Sequence, residues 1–382
     1  MIRPSESAAI VLAAGSSRRM GRFKPLLPLG GRPMIHWCVD LFSACGVSEI
    51  HVVTGHRHEA LAPVLVDLGV ETVVNRDFEQ GMFSSVKAGI RSLSPDCGAF
   101  FILPVDIPLV RPATVRQLLE RFHAGNAKVV IPCFGGHPGH PPLIARSLAA
   151  PVLAADGAGG LRAVLARWPT ETVREPVPDR FILQDADSPG DHQALDAACR
   201  RRAIPADDEC DAILAGLGPG ADGIIGHGRE VARVAEILTS ALQQAKVPLD
   251  AQLVRAAARL HDLAKGTPDH ARVGAERLRG LGFDPVADIV ACHHDIAINP
   301  QDPVSEKEVV YLADKRVAGV RVVPLEARFA AALVRYGANP DARVNIQRRK
   351  AQALAVQARI ERAVGCPVDD LLQLTREDGG LR

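Results

Sequence analysis

The chain has 382 residues, with 45 Lys and Arg against 44 Asp and Glu. That length favours two or more domains, and a net charge of +1 gives no global reason to expect nucleic acid or an acidic membrane surface as partner. With 47% hydrophobic residues it can build real cores, while 4% aromatic offers no stacking platform for single strands. No apolar run is long enough to span a bilayer, and Met1 to Ser7 is polar, without a signal-peptide apolar core. The 8 cysteines (Cys38, Cys45, Cys97, Cys133, Cys199, Cys210, Cys292, Cys366) contain no C-x-x-C pair. Reduced, mostly buried thiols in a cytoplasmic protein are expected.

The first predicted element is a strand through Ile10-Val11-Leu12-Ala13, apolar enough to be buried on both faces. It breaks into Ala14-Gly15-Ser16-Ser17-Arg18-Arg19-Met20-Gly21-Arg22-Phe23-Lys24-Pro25. Gly15 and Gly21 let backbone N–H groups approach a ligand, and Arg18, Arg19 and Lys24 add positive charge beside them. Such a loop suits a triphosphate. It is neither a Walker loop nor a dinucleotide fingerprint. A helix from Met34 to Cys45 follows, with Ile35, Val39 and Phe42 on one face, then a strand from Glu49 to Thr54. The helix His58 to Leu68 leads to a strand around Thr72 to Val74. This alternation predicts a doubly wound, mostly parallel sheet whose ligands bind beyond the carboxyl ends of its strands. Gly81 and Ser84 start a further helix through Ser85, its N-terminus offering free N–H groups. The buried strand Ala99 to Val105 delivers Asp106 to the ligand edge, where a carboxylate is well placed to hold Mg²⁺. Strands are expected at Lys128 to Cys133, after the Gly135 to Pro142 loop, and at Arg180 to Leu183.

The first loop resembles the signature LAAG-x-S-x-R-M-G-x-x-K-x-L of nucleotidyltransferases that move NMP from an NTP to a sugar phosphate or cofactor phosphate. Every fixed position is present, the arginine falling on Arg19. The resemblance implies nucleotide contacts from Leu12, Ala13, Ala14, Gly15, Arg18, Arg19, Met20, Gly21, Lys24, Gly81, Ser84, Ser85 and Asp106. It makes Lys24, Arg19 and Asp106 catalytic, with Mg²⁺ on Asp106. Gln184-Asp185-Ala186-Asp187-Ser188-Pro189-Gly190-Asp191 resembles the family's D-x-D-T-P-x-D ending. It implies a second metal carboxylate, Asp187 in preference to Asp185, while Asp191 caps the last helix. His140-Pro141 resembles the acceptor-side G-H-P segment of the molybdenum-cofactor branch, and Ala14 is typical of pyrimidine-nucleotide enzymes. The first half thus resembles a molybdenum cofactor cytidylyltransferase, with CTP and molybdopterin as substrates. The same residues leave open a sugar- or alditol-phosphate cytidylyltransferase, or a chaperone carrying finished cofactor to a molybdenum hydroxylase apo-enzyme.

After a basic helix end at Arg200-Arg201-Arg202, Pro205 to Asp208 marks a boundary. The expected domains are 1–203, 204–338 and a helical tail over 339–382. Helical spacing predicts an all-α second domain, with Val231, Val234, Ala235, Leu238 and Leu242 on one face. Leu253, Ala257, Leu260 and Ala264 share another. His227 is expected to open the first of these helices, and His261-Asp262 to sit inside the next. His270, His293-His294 and Asp314 follow. A polar pair within an apolar helix is costly unless satisfied, and imidazole with carboxylate suits Fe, Mn, Zn or Ni.

The order H…HD…H…HH…D resembles that of HD-domain metal-dependent phosphohydrolases, over about Asp207 to Val323. The resemblance implies His227, His261, Asp262 and Asp314 as core metal ligands. It implies His270, His293 and His294 as ligands of a second metal, and Lys265 as a catalytic contact to phosphate. In that reading the domain is either a phosphohydrolase or a regulator of the first activity. The tail carries Ile346, Ala353, Val356 and Ile360 at helical spacing and a polar end, Thr375 to Arg382, that should fray. It packs either on the helical domain or on a second subunit in a homodimer.

Overall fold

The structure, a computed structural model, describes residues 6–17 and 19–378. Arg18, expected near the phosphates, and residues 379–382 of the polar end lie outside these described residues. The chain divides into two compact units, Met1–Arg202 and Ala203–Arg382.

The first unit is built on strands β1 (Ser7–Ala13), β2 (Glu49–Thr54), β3 (Glu71–Val74), β4 (Ala99–Pro104), β5 (Val129–Phe134), β6 (Leu143–Ala145) and β7 (Thr172–Pro176). Their order across the sheet is β7-β5-β6-β4-β1-β2-β3, with the short strand His137–Pro138 paired to β5. All pairings are parallel except those of β6 and the short strand. β1 and β4 sit at the centre and are buried along their whole length, which is why they read as unbroken apolar runs. Helices α1 (Met34–Ser43), α2 (His58–Asp67), α3 (Met82–Ser92), α4 (Pro112–His123), α5 (Ala149–Ala154), α6 (Gly160–Leu165) and α7 (Pro189–Arg200) complete the unit. Ile35, Val39 and Phe42 of α1 are buried, as their spacing predicts. A Cβ at Gly89 of α3 would lie 2.4 Å from Ile10 Cγ2, so the helix can rest on β1 only with glycine there.

Arg180 to Leu183 is a correction: the segment is a 3-10 turn, and the outer strand is β7. Phe181 and Ile182 are indeed buried, but Asp179 turns the backbone by accepting from Phe181 N. The Asp179 carboxylate, also buried, is held by Arg111 Nη1 at 2.8 Å, Arg111 N at 2.8 Å and Thr114 Oγ1 at 2.7 Å. β7 carries no apolar signal in the sequence: Thr172-Val173-Arg174-Glu175-Pro176 is a polar strand ending in proline, tolerated at a sheet edge.

The second unit is helical: α8 (Asp207–Ala215), α9 (Asp222–Gln244), α10 (Ala251–Leu260), α11 (His270–Gly280), α12 (Asp284–Val290), α13 (Glu306–Lys315), α14 (Leu325–Tyr336), α15 (Pro340–Val364) and α16 (Val368–Asp378), with one small hairpin at 317–322. Val231, Val234, Ala235, Leu238 and Leu242 are fully buried. The face on α10 is rotated from expectation: Val254 is fully buried and Leu253 only partly, and Ala264 falls beyond the helix. A Cβ at Gly228 would lie 2.6 Å from the Arg259 carbonyl oxygen, so glycine permits the close α9–α10 approach. Ala353, Val356 and Ile360 of α15 are completely buried in the same core, so the tail packs on its own helical unit. The backbone of 375–378 continues α16. Among the described residues, no helix is long and apolar enough to cross a membrane.

Candidate functional sites

In the first unit the loop after β1 lies at the carboxyl edge of the sheet. Ser17 shapes it: its carbonyl accepts from Met20 N and Gly21 N at 3.1 Å, and its hydroxyl accepts from Lys24 N at 3.1 Å. Ser17 and Gly21 both have positive φ, 52° and 68°, which bends the loop back over the strand end. Lys24 Nζ then donates to Asp106 Oδ2 at 3.1 Å and to Asp187 Oδ1 at 2.7 Å. Asp106 follows β4, whose continuation is pinned by Val105 N donating to the Leu12 carbonyl at 3.0 Å. Ala186 N donates to the Asp106 carbonyl at 2.9 Å, which brings Asp187 beside it. A capping box between Ser188 and Asp191 starts α7 directly after. Arg19 Nη1 reaches Asp187 Oδ2 at 2.6 Å with a side chain 80% exposed, free to swing toward a ligand.

Two carboxylates converging on one ammonium form a place that accommodates a cation. Burial opposes the charge on Lys24, but Asp187 and Asp106 outweigh it and hold the ammonium above its ordinary range. The hydrogen bond from Lys24 lowers Asp187 below the usual carboxylate range. Asp185 is exposed; desolvation and the Asp187 and Asp106 charges push its carboxyl up.

Lys24 and Asp106 border a cavity of about 960 Å³, whose lining does not include Asp187, Asp185 or Arg19. Leu12, Ala13, Ala14, Gly15, Lys24, Gly81, Ser85 and Asp106 line it. So do Met82 and three residues that belong to no motif in the sequence, His56, Phe78 and Glu79. Met20 is placed differently from expectation: its side chain is buried against Leu27, Leu29 and Met34, so it anchors the loop in the core. His140 is half-buried, its backbone N donating to the Ile182 carbonyl at 3.0 Å, and burial lowers its imidazole pKa. Gly139 is required there, since a Cβ would stand 2.5 Å from that same carbonyl.

In the second unit seven side chains converge from five elements. His227 lies in the second turn of α9, preceded by α8, so it does not open the first helix. His261 and Asp262 stand just past the end of α10, a second correction: the apolar run continues, but the helix stops at Leu260. His270 begins α11, His293 and His294 follow α12, and Asp314 is near the end of α13. Three imidazoles are oriented by backbone carbonyls: His227 Nδ1 donates to Gly319 at 2.8 Å, His261 Nδ1 to Ala258 at 2.8 Å and His293 Nδ1 to Val290 at 2.7 Å. A carbonyl only accepts, so each ring keeps Nε2 facing the cluster, the arrangement of metal-binding histidines.

The Nε2 of His261 is buried without a hydrogen-bond partner. Such an orphaned atom fits a metal ligand. His227, His261 and Asp262 bring donor atoms within 4.8 Å of one another, as do His270, His293 and His294. Asp262 joins the two groups: Oδ2 lies 3.5 Å from His261 and 3.8 Å from His227, and Oδ1 lies 3.3 Å from His270 and 3.7 Å from His293. Asp314 Oδ1 is 3.2 Å from His227 and 3.5 Å from His261. Burial opposes charge on His261, yet the Asp262 and Asp314 carboxylates push its pKa up to about 10. Burial takes His293 down to about 3 and His294 down to about 4. The first group therefore attracts positive charge, while the second offers neutral nitrogen lone pairs. Both suit divalent metals. Lys265 Nζ meets Asp262 Oδ2 at 2.5 Å with a half-exposed side chain. Lys315, missed in the sequence, is buried and bonds Asp314 Oδ2 at 2.6 Å and the His293 carbonyl at 2.9 Å.

Residues 9–173 match the family model for the MobA-like NTP transferase domain, and residues 224–319 match that for the HD domain. Bifunctional protein GlmU of Geotalea daltonii is 34% identical over 126 residues, which are 32% of this chain and 28% of that protein. The chain therefore spans less than a third of that relative's length. Among solved structures, Rv0371c from Mycobacterium tuberculosis H37Rv is 23% identical with a TM-score of 0.45, covering 50% of this chain and 96% of its own. Molybdopterin-guanine dinucleotide biosynthesis protein A from Archaeoglobus fulgidus is 20% identical with a TM-score of 0.41, covering 51% and 99%. Residues 9–173 thus form a MobA-like NTP transferase domain, followed over 224–319 by an HD domain whose residues suit divalent metals.

Proposed function

We propose that the first unit transfers CMP from CTP to molybdenum-molybdopterin, giving molybdopterin cytosine dinucleotide and pyrophosphate. The observation that carries the reading is Lys24 Nζ between Asp106 Oδ2 and Asp187 Oδ1, with Lys24 and Asp106 lining the cavity. A phosphate oxygen of the pterin attacks the α-phosphorus; the bond from that phosphorus to the β-phosphate oxygen breaks. Lys24, the exposed Arg19 and the loop N–H groups hold the phosphates in line and offset the charge that develops on them. Asp106 and Asp187 would hold Mg²⁺, which supplies Lewis-acid charge neutralisation at the phosphates. The choice of CTP rests on the LAAG resemblance at Ala14, and the choice of acceptor on the resemblance of Gly139-His140-Pro141 to the G-H-P segment.

The second unit we read as a phosphohydrolase centre with two metals sharing Asp262. His227, His261, Asp262 and Asp314 would hold one, and His270, His293 and His294 the other. The metals, drawn from Fe, Mn, Zn or Ni, would activate water for attack on phosphorus. Lys265, half exposed beside Asp262, would pair with the phosphate. Incubation of the full chain with molybdenum-molybdopterin, Mg²⁺ and CTP, followed by mass spectrometry, tests the first activity. The cytosine dinucleotide is the expected product; unaltered molybdopterin would count against the reading.

A further inference from the structure

We infer that Asn75 sets the hydrogen-bond polarity of the nucleotide cavity, by making Ser85 a donor toward the cytosine N3 edge of the substrate. The inference rests on the CTP reading above. Asn75 is 5% exposed and sits one residue beyond β3. Its Oδ1 accepts from Asp77 N at 3.0 Å. An N–H can only donate, so the amide cannot be reversed, and Nδ2 must face the other way. There it donates to Ser84 Oγ at 2.8 Å and to Ser85 Oγ at 3.0 Å.

Both hydroxyls are thereby acceptors toward Asn75, and each has one proton left. Ser84 spends its proton on backbone carbonyls, those of Asp77 at 2.9 Å and Gly81 at 2.8 Å. Ser84 does not line the cavity; Ser85 does, and it is 4% exposed. Among the described residues no acceptor takes the Ser85 proton. Ser85 thus presents an O–H to whatever occupies the cavity. A buried hydroxyl left unmatched costs affinity, so the site favours a ligand with an acceptor at that point. Cytosine offers a lone pair at N3, whereas uracil carries a proton there. Asn75 is a positioning residue in this account, acting through Ser85.

The test is binding of CTP and UTP, each with Mg²⁺, to the full chain by calorimetry, for wild type, Asn75→Asp and Ser85→Ala. Asn75→Asp keeps the shape but turns the donor into an acceptor, so Ser85 directs its proton to the carboxylate and a lone pair to the cavity. CTP affinity should fall about 10-fold while UTP changes less than about 3-fold or improves. Ser85→Ala should also narrow the preference for CTP over UTP, and it decides the matter if Asn75→Asp does not fold. Parallel loss of both nucleotides, or an unchanged CTP/UTP ratio in the variants, would overturn the inference. A wild type that binds neither pyrimidine nucleotide would instead overturn the CTP reading on which it rests, and the inference with it.

Discussion

Arg349 grips both oxygens of the Asp295 carboxylate, with Nε at 3.1 Å and Nη2 at 2.9 Å. Asp295 directly follows His293 and His294, while Arg349 belongs to α15, beyond the residues that match the HD domain. The hydrogen bond and charge of Arg349 hold the Asp295 carboxyl below its usual range. The Tyr311 hydroxyl adds a bond to the Arg349 carbonyl at 3.2 Å. The tail thus fixes the loop that carries two of the proposed metal ligands. Arg349→Ala should weaken binding at the His270, His293 and His294 group by about 10- to 100-fold, as loss of a supporting contact does, and spare the other group. Metal titration with elemental analysis checks this; wild-type affinity at both groups would show that the tail has no hold on the loop.

Asp262 faces both metal groups through different oxygens. Asp262→Ala should therefore remove both metals from the purified full chain, while His270→Ala removes one. The count per chain by elemental analysis separates the two cases. Equal losses in the two variants would mean that the groups do not act as separate sites sharing one carboxylate.

Stability of the first unit depends on Asp179. The ion pair with Arg111 is almost fully enclosed, with side chains 4% and 2% exposed. Asp179→Ala removes the carboxylate that faces the buried Arg111 charge and should cost about 3–5 kcal/mol. Chemical denaturation should show the transferase unit unfolding earlier, with the helical unit unchanged. A shift below about 1 kcal/mol would mean that water or another acceptor compensates.

Gly228 tests the helical core independently. Gly228→Ala forces a methyl against the Arg259 carbonyl and should destabilise the second unit by about 1–3 kcal/mol, the cost of overpacking. Thermal unfolding monitored by far-UV circular dichroism reads the effect. No loss of stability would show that α9 and α10 can separate freely.

How much of this was legible in the sequence depended on how local each signal is. The loop from Ala14 to Lys24 and the ordered histidines and aspartates of the second unit are short patterns with a chemical reason for their order, so they could be read directly. Helix faces such as Val231 to Leu242 follow from periodicity. Asn75 could not be found this way. Its importance comes from an amide locked by Asp77 and shared by two serines, and a lone Asn before a turn reads as ordinary loop chemistry. Lys315 was similarly hidden, since nothing in Asp314-Lys315-Arg316 shows that the lysine turns inward. Arg180 to Leu183 misled because burial alone does not distinguish a strand from a turn held by a buried carboxylate.

In the proposed function, Lys24, Asp106 and Asp187 form a cytidylyl-transfer site distinct from the metal cluster of the helical unit. Pyrophosphate release with molybdenum-molybdopterin, Mg²⁺ and each of CTP, GTP, ATP and UTP tests it most directly, with Asp106→Ala and Asp262→Ala run in parallel. Turnover is expected with CTP alone, reduced on the order of 10²- to 10³-fold in Asp106→Ala and retained in Asp262→Ala. Turnover with GTP in place of CTP, or equal loss in both variants, would contradict it.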